Sequence, residues 1–370
     1  MNNTFLSRRR FLGPVAASIL GLSRASESLA EAKRLMKSDR LASSSGPVKG
    51  SQRAIDLQGH RGAAGLLPEN TLPSFAKAVE IGVTTLELDV VMTKDSVLVI
   101  HHDQDLNPDI TRSADGEFLK ERGPRIIDLT FKALQQYQVG ALRPHSRYGS
   151  RFPDQQRIEK LSIPKLSDLF DWIEQSGESN IRFAIETKVS PLRPTWTPPP
   201  EVMVEALLDL IRRYRFQDRV QVLSFDWRSL LAVQRLQPGM ETVYLTSAYA
   251  SINNIITSNG KDSPWTAGFQ LRDFSSIPHM IKAAGGTHWS CSYPHLDRSQ
   301  VEIAQKLGLK VLAWTVDDKS AMKQMLDLGI DGLVTNRPDR AVEVLKAEGL
   351  KAEGLKAEVL KASGNTFLQS

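Results

Sequence analysis

One cysteine, Cys291, occurs in the 370 residues. With no second thiol there can be no intramolecular disulfide, and a zinc site built on several thiolates is excluded as well. Cys291 reads as a small buried apolar residue. No Gly-x-Gly-x-x-Gly follows a strand-like run, which weighs against a dinucleotide-binding sheet. A strong charge of one sign is also missing. The formal net charge is +5, and Arg8, Arg9, Arg10 and Arg24 carry much of that excess. No basic stripe interleaved with aromatics appears, so nucleic acid is not an expected partner. Core material is plentiful, with 41% of residues hydrophobic. At about 150 residues per domain the length suggests two domains, but α/β barrels routinely run longer as one.

The N-terminus reads as a targeting segment. Ser7-Arg8-Arg9-Arg10-Phe11-Leu12-Gly13 opens it, and a weakly apolar stretch runs from Pro14 to Leu22. That stretch is much shorter than the roughly 20 residues of a spanning helix. Ser28-Leu29-Ala30 supplies a cleavage site of small residues. The segment resembles a twin-arginine export signal, with Gly13 where the pattern ends in Lys. Export to the periplasm or outside the cell follows from that resemblance, with the twin-arginine translocase as a transient partner. Residues 1–30 are assigned to the signal and the polar residues 31–52 to a linker.

From Ala54 onward apolar runs alternate with amphipathic segments. Strands are expected at 54–59, 84–90, 181–187, 220–225, 241–246, 267–271, 286–290, 310–316 and 330–335. Helices are expected at 71–81, 166–176, 201–215, 227–236, 277–284, 298–307, 319–328 and 338–348. About eight β-then-α units argue for a parallel α/β fold, and that number suits a closed TIM (β/α)8 barrel better than an open sheet. An insertion of about residues 104–164 follows the second strand region, and a loop of this length is usually functional. The barrel domain is bounded at residues 53–342. From 343 to 370 the chain repeats Leu-Lys-Ala-Glu-Gly with drift. A period of five does not align leucines on one helical face, so a frayed, partly helical, solvated tail is expected.

The chemistry gathers at strand ends. Residues i and i+2 of a strand share a face, so Glu87 and Asp89 point together, as do Glu186 and Lys188. Carboxylates on one face of a buried strand are costly unless a cation lies between them. Oxygen ligands of this kind suit a hard divalent ion, Mg or Ca. Such an ion beside two histidines and two cationic side chains suggests hydrolysis of an anionic ester.

Seven motifs in order carry a family resemblance. They are His60-Arg61-Gly62, Pro68-Glu69-Asn70-Thr71, Glu87-Leu88-Asp89, His102-Asp103, Glu186-Thr187-Lys188, Trp314-Thr315-Val316 and Asp331-Gly332-Leu333-Val334-Thr335-Asn336. Over about residues 54–342 the chain resembles the glycerophosphodiester phosphodiesterases. The resemblance implies a TIM barrel that uses Ca or Mg to cleave glycerophosphodiesters to sn-glycerol 3-phosphate and an alcohol. It makes Glu87, Asp89 and Glu186 the metal ligands and His60 and His102 the acid/base pair. Arg61 and Lys188 then meet the phosphate, and Trp314 lines the substrate pocket. The register selects His102 over His101, because adjacent strand residues face opposite ways. Asn70 is expected first to cap the helix that follows it. Asn336 stands where the family often has Asp, and Ser96 where it often has Gly. Two rivals are a phospholipase D-like or phosphatidylinositol-cleaving barrel acting on intact lipid, and a non-catalytic phosphoester-binding protein. The first needs an exposed apolar rim for the bilayer; in the insertion, apolar residues such as Phe131, Tyr148 and Phe152 are diluted by charge, so membrane contact is possible but not indicated.

Overall fold

The computed structural model describes residues 53–249, 252–256 and 262–353. The signal segment, the linker and the repeat beyond residue 353 lie outside the described residues.

Eight parallel strands form a closed ring. They are β1 (Ala54–Gly59), β2 (Thr85–Met92), β4 (Arg182–Thr187), β5 (Val220–Ser224), β6 (Glu241–Thr246), β7 (His288–Ser292), β8 (Lys310–Trp314) and β9 (Gly332–Thr335). β1 pairs with both β2 and β9, and that double pairing closes the barrel. β3 (Leu98–Ile100) folds back antiparallel on β2 and stays outside the ring. A helix follows each barrel strand: Leu72–Ile81, Leu166–Ser176, Pro200–Tyr214, Trp227–Leu236, Ile277–Ala283, Arg298–Lys306, Lys319–Leu328 and Pro338–Ala347. Thr71, Asp226, Ser276, Asp297 and Asp318 start five of them by accepting hydrogen bonds from first-turn N–H groups.

The strands are buried on both faces, as helix-covered parallel strands must be. Ala184, Leu223, Val243, Leu245 and Leu312 cluster in an apolar layer inside the barrel. Gly332 is needed for closure there. A Cβ on it would lie 2.2 Å from Leu312 Cδ2.

Three expectations are corrected. No strand forms over 267–271, because Ala267 and Gly268 both take left-handed backbone (φ 52° and 92°). Buried Phe269 packs on Trp227 instead of joining the sheet. β3 forms outside the nine expected strand spans, in the run whose alternation selects His102, and Ser96 in its turn has φ 62°, a conformation that favours glycine. The opening of the repeat is anchored to the barrel at single positions, although Lys346, Ala347, Glu348 and Lys351 stay exposed. Val344 and Leu345 are buried, and β10 (Lys351–Ala352) pairs parallel with the start of β1. The insertion after β3 packs Leu106, Ile126, Leu134, Val139 and Ile163 against Val91 and Val99, a small core of its own.

Candidate active site

The C-terminal ends of β1, β2 and β4 bring the acidic and basic motifs together. Glu87 and Asp89 alternate inward along β2, and Asp89 lies in register with Glu186 on β4. All three carboxylates are buried, with one oxygen of each within 4.8 Å of the others. Lys188 Nζ lies 2.9 Å from Asp89 Oδ1 and 2.7 Å from Glu186 Oε1. The Arg61 backbone N–H donates to Glu87 Oε2 at 2.9 Å, and Arg61 Nε lies 3.2 Å from Asp89 Oδ2. Gly62 makes this turn possible. It has φ 88°, and a Cβ there would meet Ser74 at 2.6 Å.

The cluster's charges are not balanced. Burial and the neighbouring Asp89 and Glu186 carboxylates push Glu87 well above the usual carboxylate range. Burial also raises Glu186, against the pull of Lys188. Asp89 goes the other way: burial is outweighed by Lys188 and Arg61, which hold it well below its ordinary value. Burial would lower Lys188, but Asp89 and Glu186 raise it. A carboxylate that prefers a proton in this setting is one that a divalent cation would satisfy. The donor set is all oxygen, so it fits a hard ion.

Both predicted histidines enter the same pocket. His60 Nε2 lies 3.9 Å from Glu87 Oε2. Its Nδ1 lies 2.6 Å from Asn336 Oδ1. Asn336 Nδ2 donates to Asp317 Oδ2 at 2.8 Å, which fixes the amide with its oxygen toward the ring. The His60 proton therefore sits on Nδ1, and the Nε2 lone pair faces the carboxylates. Burial, then the charge of Arg61, lower His60 to about 3. His102 Nδ1 lies 2.5 Å from Asp103 Oδ1. Burial would raise Asp103, but its bond to His102 and its ion pair with Arg122 hold it low. His101 is turned away and buried, as its neighbour's register requires.

Trp314 lines the pocket, half-buried, with Nε1 donating to Ser290 O at 3.2 Å. The pocket measures about 1100 Å³.

The family profile described as "Glycerophosphoryl diester phosphodiesterase family" matches residues 60–340. The chain belongs to the glycerophosphoryl diester phosphodiesterase family. It is 28% identical to a glycerophosphodiester phosphodiesterase of Caldanaerobacter subterraneus subsp. tengcongensis, over 78% of this chain and 97% of the relative. It is 30% identical to a glycerophosphodiester phosphodiesterase of Bacillus altitudinis, over 77% of this chain and 96% of that one. Among solved structures, a candidate glycerophosphoryl diester phosphodiesterase from Silicibacter pomeroyi DSS-3 is 32% identical with a TM-score of 0.73, covering 82% of this chain and 96% of that chain.

Within this family site, four further residues make five contacts that no sequence expectation specified. Asn336, in the closing motif, touches His60 directly. Asn70 does not cap the helix; Thr71 does, and Asn70 (φ 57°) donates from Nδ2 to Asp89 Oδ2 at 2.8 Å. Glu69 holds Arg61 Nη1 at 2.7 Å. Tyr148, from the insertion, hydrogen-bonds both Glu69 and Arg61 Nη1. Glu69 and Asn70 sat inside a quoted motif; nothing in the sequence ties Tyr148 to Arg61.

Proposed function

We propose that the chain hydrolyses glycerophosphodiesters to sn-glycerol 3-phosphate and an alcohol, with a single divalent cation, Ca or Mg. The observation that carries this reading is three clustered buried carboxylates from two strands, two of which, Glu87 and Glu186, line one pocket with two differently partnered histidines. Glu87, Asp89 and Glu186 would hold the cation, which when bound draws off charge from the phosphate oxygens. Arg61 and Lys188 add positive charge on the same side, Arg as a planar fork and Lys as a point charge. Breaking the ester requires a proton taken from the attacking oxygen and one given to the leaving oxygen. His60, with Nδ1 occupied by Asn336, offers a free lone pair and serves as the base. His102, oriented by Asp103, serves as the acid. Trp314 covers the substrate side of the pocket.

The test is a panel of glycerophosphodiesters assayed with and without chelator. Turnover that stops in chelator and returns with Ca or Mg is expected. Unchanged rates in excess chelator would remove the cation from the reading, and no turnover of any member would remove the activity.

The export reading is proposed alongside it, on the Arg8-Arg9 motif. Arg8→Lys with Arg9→Lys should hold the protein in the cytoplasm when cells are fractionated. Unchanged export of that variant contradicts a twin-arginine route.

A further inference from the structure

The pocket has two unlike walls. The ends of β1, β2 and β4, with the insertion, make the charged wall. The opposite wall comes from the ends of β5, β6 and β8 and from the loops after β4 and β6. Deep in it, Phe225 and Trp314 meet edge-to-face at 5.6 Å above the Leu245 layer. At its mouth stand Leu192, Ile252 and Ile256, exposed by 65%, 47% and 55%. Six large apolar side chains are exposed among the described residues, and these three border this one opening.

The loop that presents Ile252 and Ile256 is fastened to the barrel. Asn254 is buried between them, donates to Leu245 O at 2.9 Å and Phe225 O at 3.3 Å, and accepts from the Ser247 backbone N–H at 3.0 Å. A small polar alcohol would leave this wall facing water. Each methylene that leaves water for such a surface can strengthen binding by up to about fourfold. The pocket volume of about 1100 Å³ also slightly exceeds the roughly 300–1,000 Å³ typical of pockets for a drug-sized ligand.

We propose that this site takes phosphodiesters carrying one hydrocarbon chain, with phosphate against the carboxylate wall and the chain along Phe225 and Trp314 to the lip of Leu192, Ile252 and Ile256. The proposal rests on the hydrolytic reading above and names its substrate class. The bond chemistry is that of the parent reaction: a water oxygen bonds to phosphorus, the P–O bond to the alcohol breaks, and the departing oxygen takes up a proton. The occupant is a chain and not a protein partner, because the apolar surface is concave and continuous with the catalytic pocket. It is one chain of a soluble amphiphile and not a bilayer, because of the other three exposed apolar side chains only Tyr249 shares the loop of Ile252, while Val202 and Leu236 sit on helices away from the pocket.

The experiment uses the purified enzyme and two series below their micellar limits. One is glycerophosphocholine and its 1-acyl derivatives; the other is glycerol phosphate esterified to alcohols of increasing chain length. In at least one series kcat/KM should rise by about tenfold or more from no chain to eight carbons, as burial of methylenes requires. Which series rises tells whether the chain sits on the glycerol or on the leaving alcohol. Leu192→Asn, and separately Ile252→Asn with Ile256→Asn, should remove most of that gain while leaving the chain-free substrate within about twofold, because exposed side chains contribute little to folding. A flat response in both series, with chain-free substrate still cleaved, overturns the proposal and leaves the parent reading intact. A gain that survives both variants overturns it too, as does preferential attack on diacyl lipid in vesicles. No turnover of any substrate defeats the parent reading instead.

Discussion

The barrel buries a polar cluster at each end, and the two are built on opposite plans. At the N-terminal ends of the strands, Asp56 accepts from Thr84 at 2.9 Å, Thr85 at 2.6 Å and Gln58 at 2.7 Å. Gln58 also reaches Gln221, which donates to Glu241, and Arg182 pairs with Glu241. Donors there answer acceptors, with Gln58 Oε1 the exception. At the C-terminal ends, three buried carboxylates face two cations, Arg61 and Lys188, and Arg61 Nε makes no hydrogen bond. Glu87, Asp89 and Glu186 crowd one spot, and Glu87 is driven toward its protonated form. A matched cluster holds a structure together; an unmatched one is kept for something that binds.

That contrast can be broken or sharpened by substitution. The largest effect belongs to the histidines. His60→Ala or His102→Ala should lower kcat by about 10²–10⁴-fold, while thermal unfolding stays cooperative with Tm nearly unchanged. Near wild-type rates in both variants would refute the acid/base pair. Next comes a paired comparison across the two ends. Glu87→Gln should cost more activity than the roughly 10–100-fold typical of groups behind a metal's ligands, yet leave stability equal or higher, because it relieves repulsion. Asp56→Ala should do the reverse, losing about 1–3 kcal/mol for the donors it strands with little change in kcat/KM. If Glu87→Gln destabilises as much as Asp56→Ala, the two clusters are not different in kind. The smallest effect is at Cys291, whose buried thiol is pushed up to about 12. In the unfolded chain it ionises near pH 8.5. The folded state therefore holds the proton more tightly, so this contribution to stability is complete below that pH and declines as pH climbs from about 8.5 to 12. A thiol reagent at pH 8 should label the native enzyme slowly and the denatured chain at once; equal rates would contradict the burial.

Most of the barrel was legible because each β-then-α unit is local. Period-two apolar runs such as Leu86, Leu88 and Val90 mark strands, and the carboxylates between them mark the inner face. The metal-side residues were legible for the same reason, since i and i+2 on β2 fix Glu87 and Asp89 together. What escaped depends on distance in the chain. Tyr148 lies 87 residues from Arg61 and Asn336 lies 276 from His60, so neither hydrogen bond has a sequence signature. The strand expected over 267–271 failed on backbone conformation at Ala267 and Gly268, which an apolar pattern does not report. The start of the repeat misled because its composition suggests solvent, whereas Leu345 and Ala352 find places on the barrel.

Calorimetric titration of Ca and Mg into metal-stripped enzyme, repeated with Glu87→Gln, probes the carboxylate cluster most directly. One ion should bind per chain with protons released, since the ligands must give them up, and Glu87→Gln should abolish both the heat and the turnover. An unaltered binding isotherm in that variant, or full activity in the stripped enzyme, would show that Glu87, Asp89 and Glu186 do not share a cation.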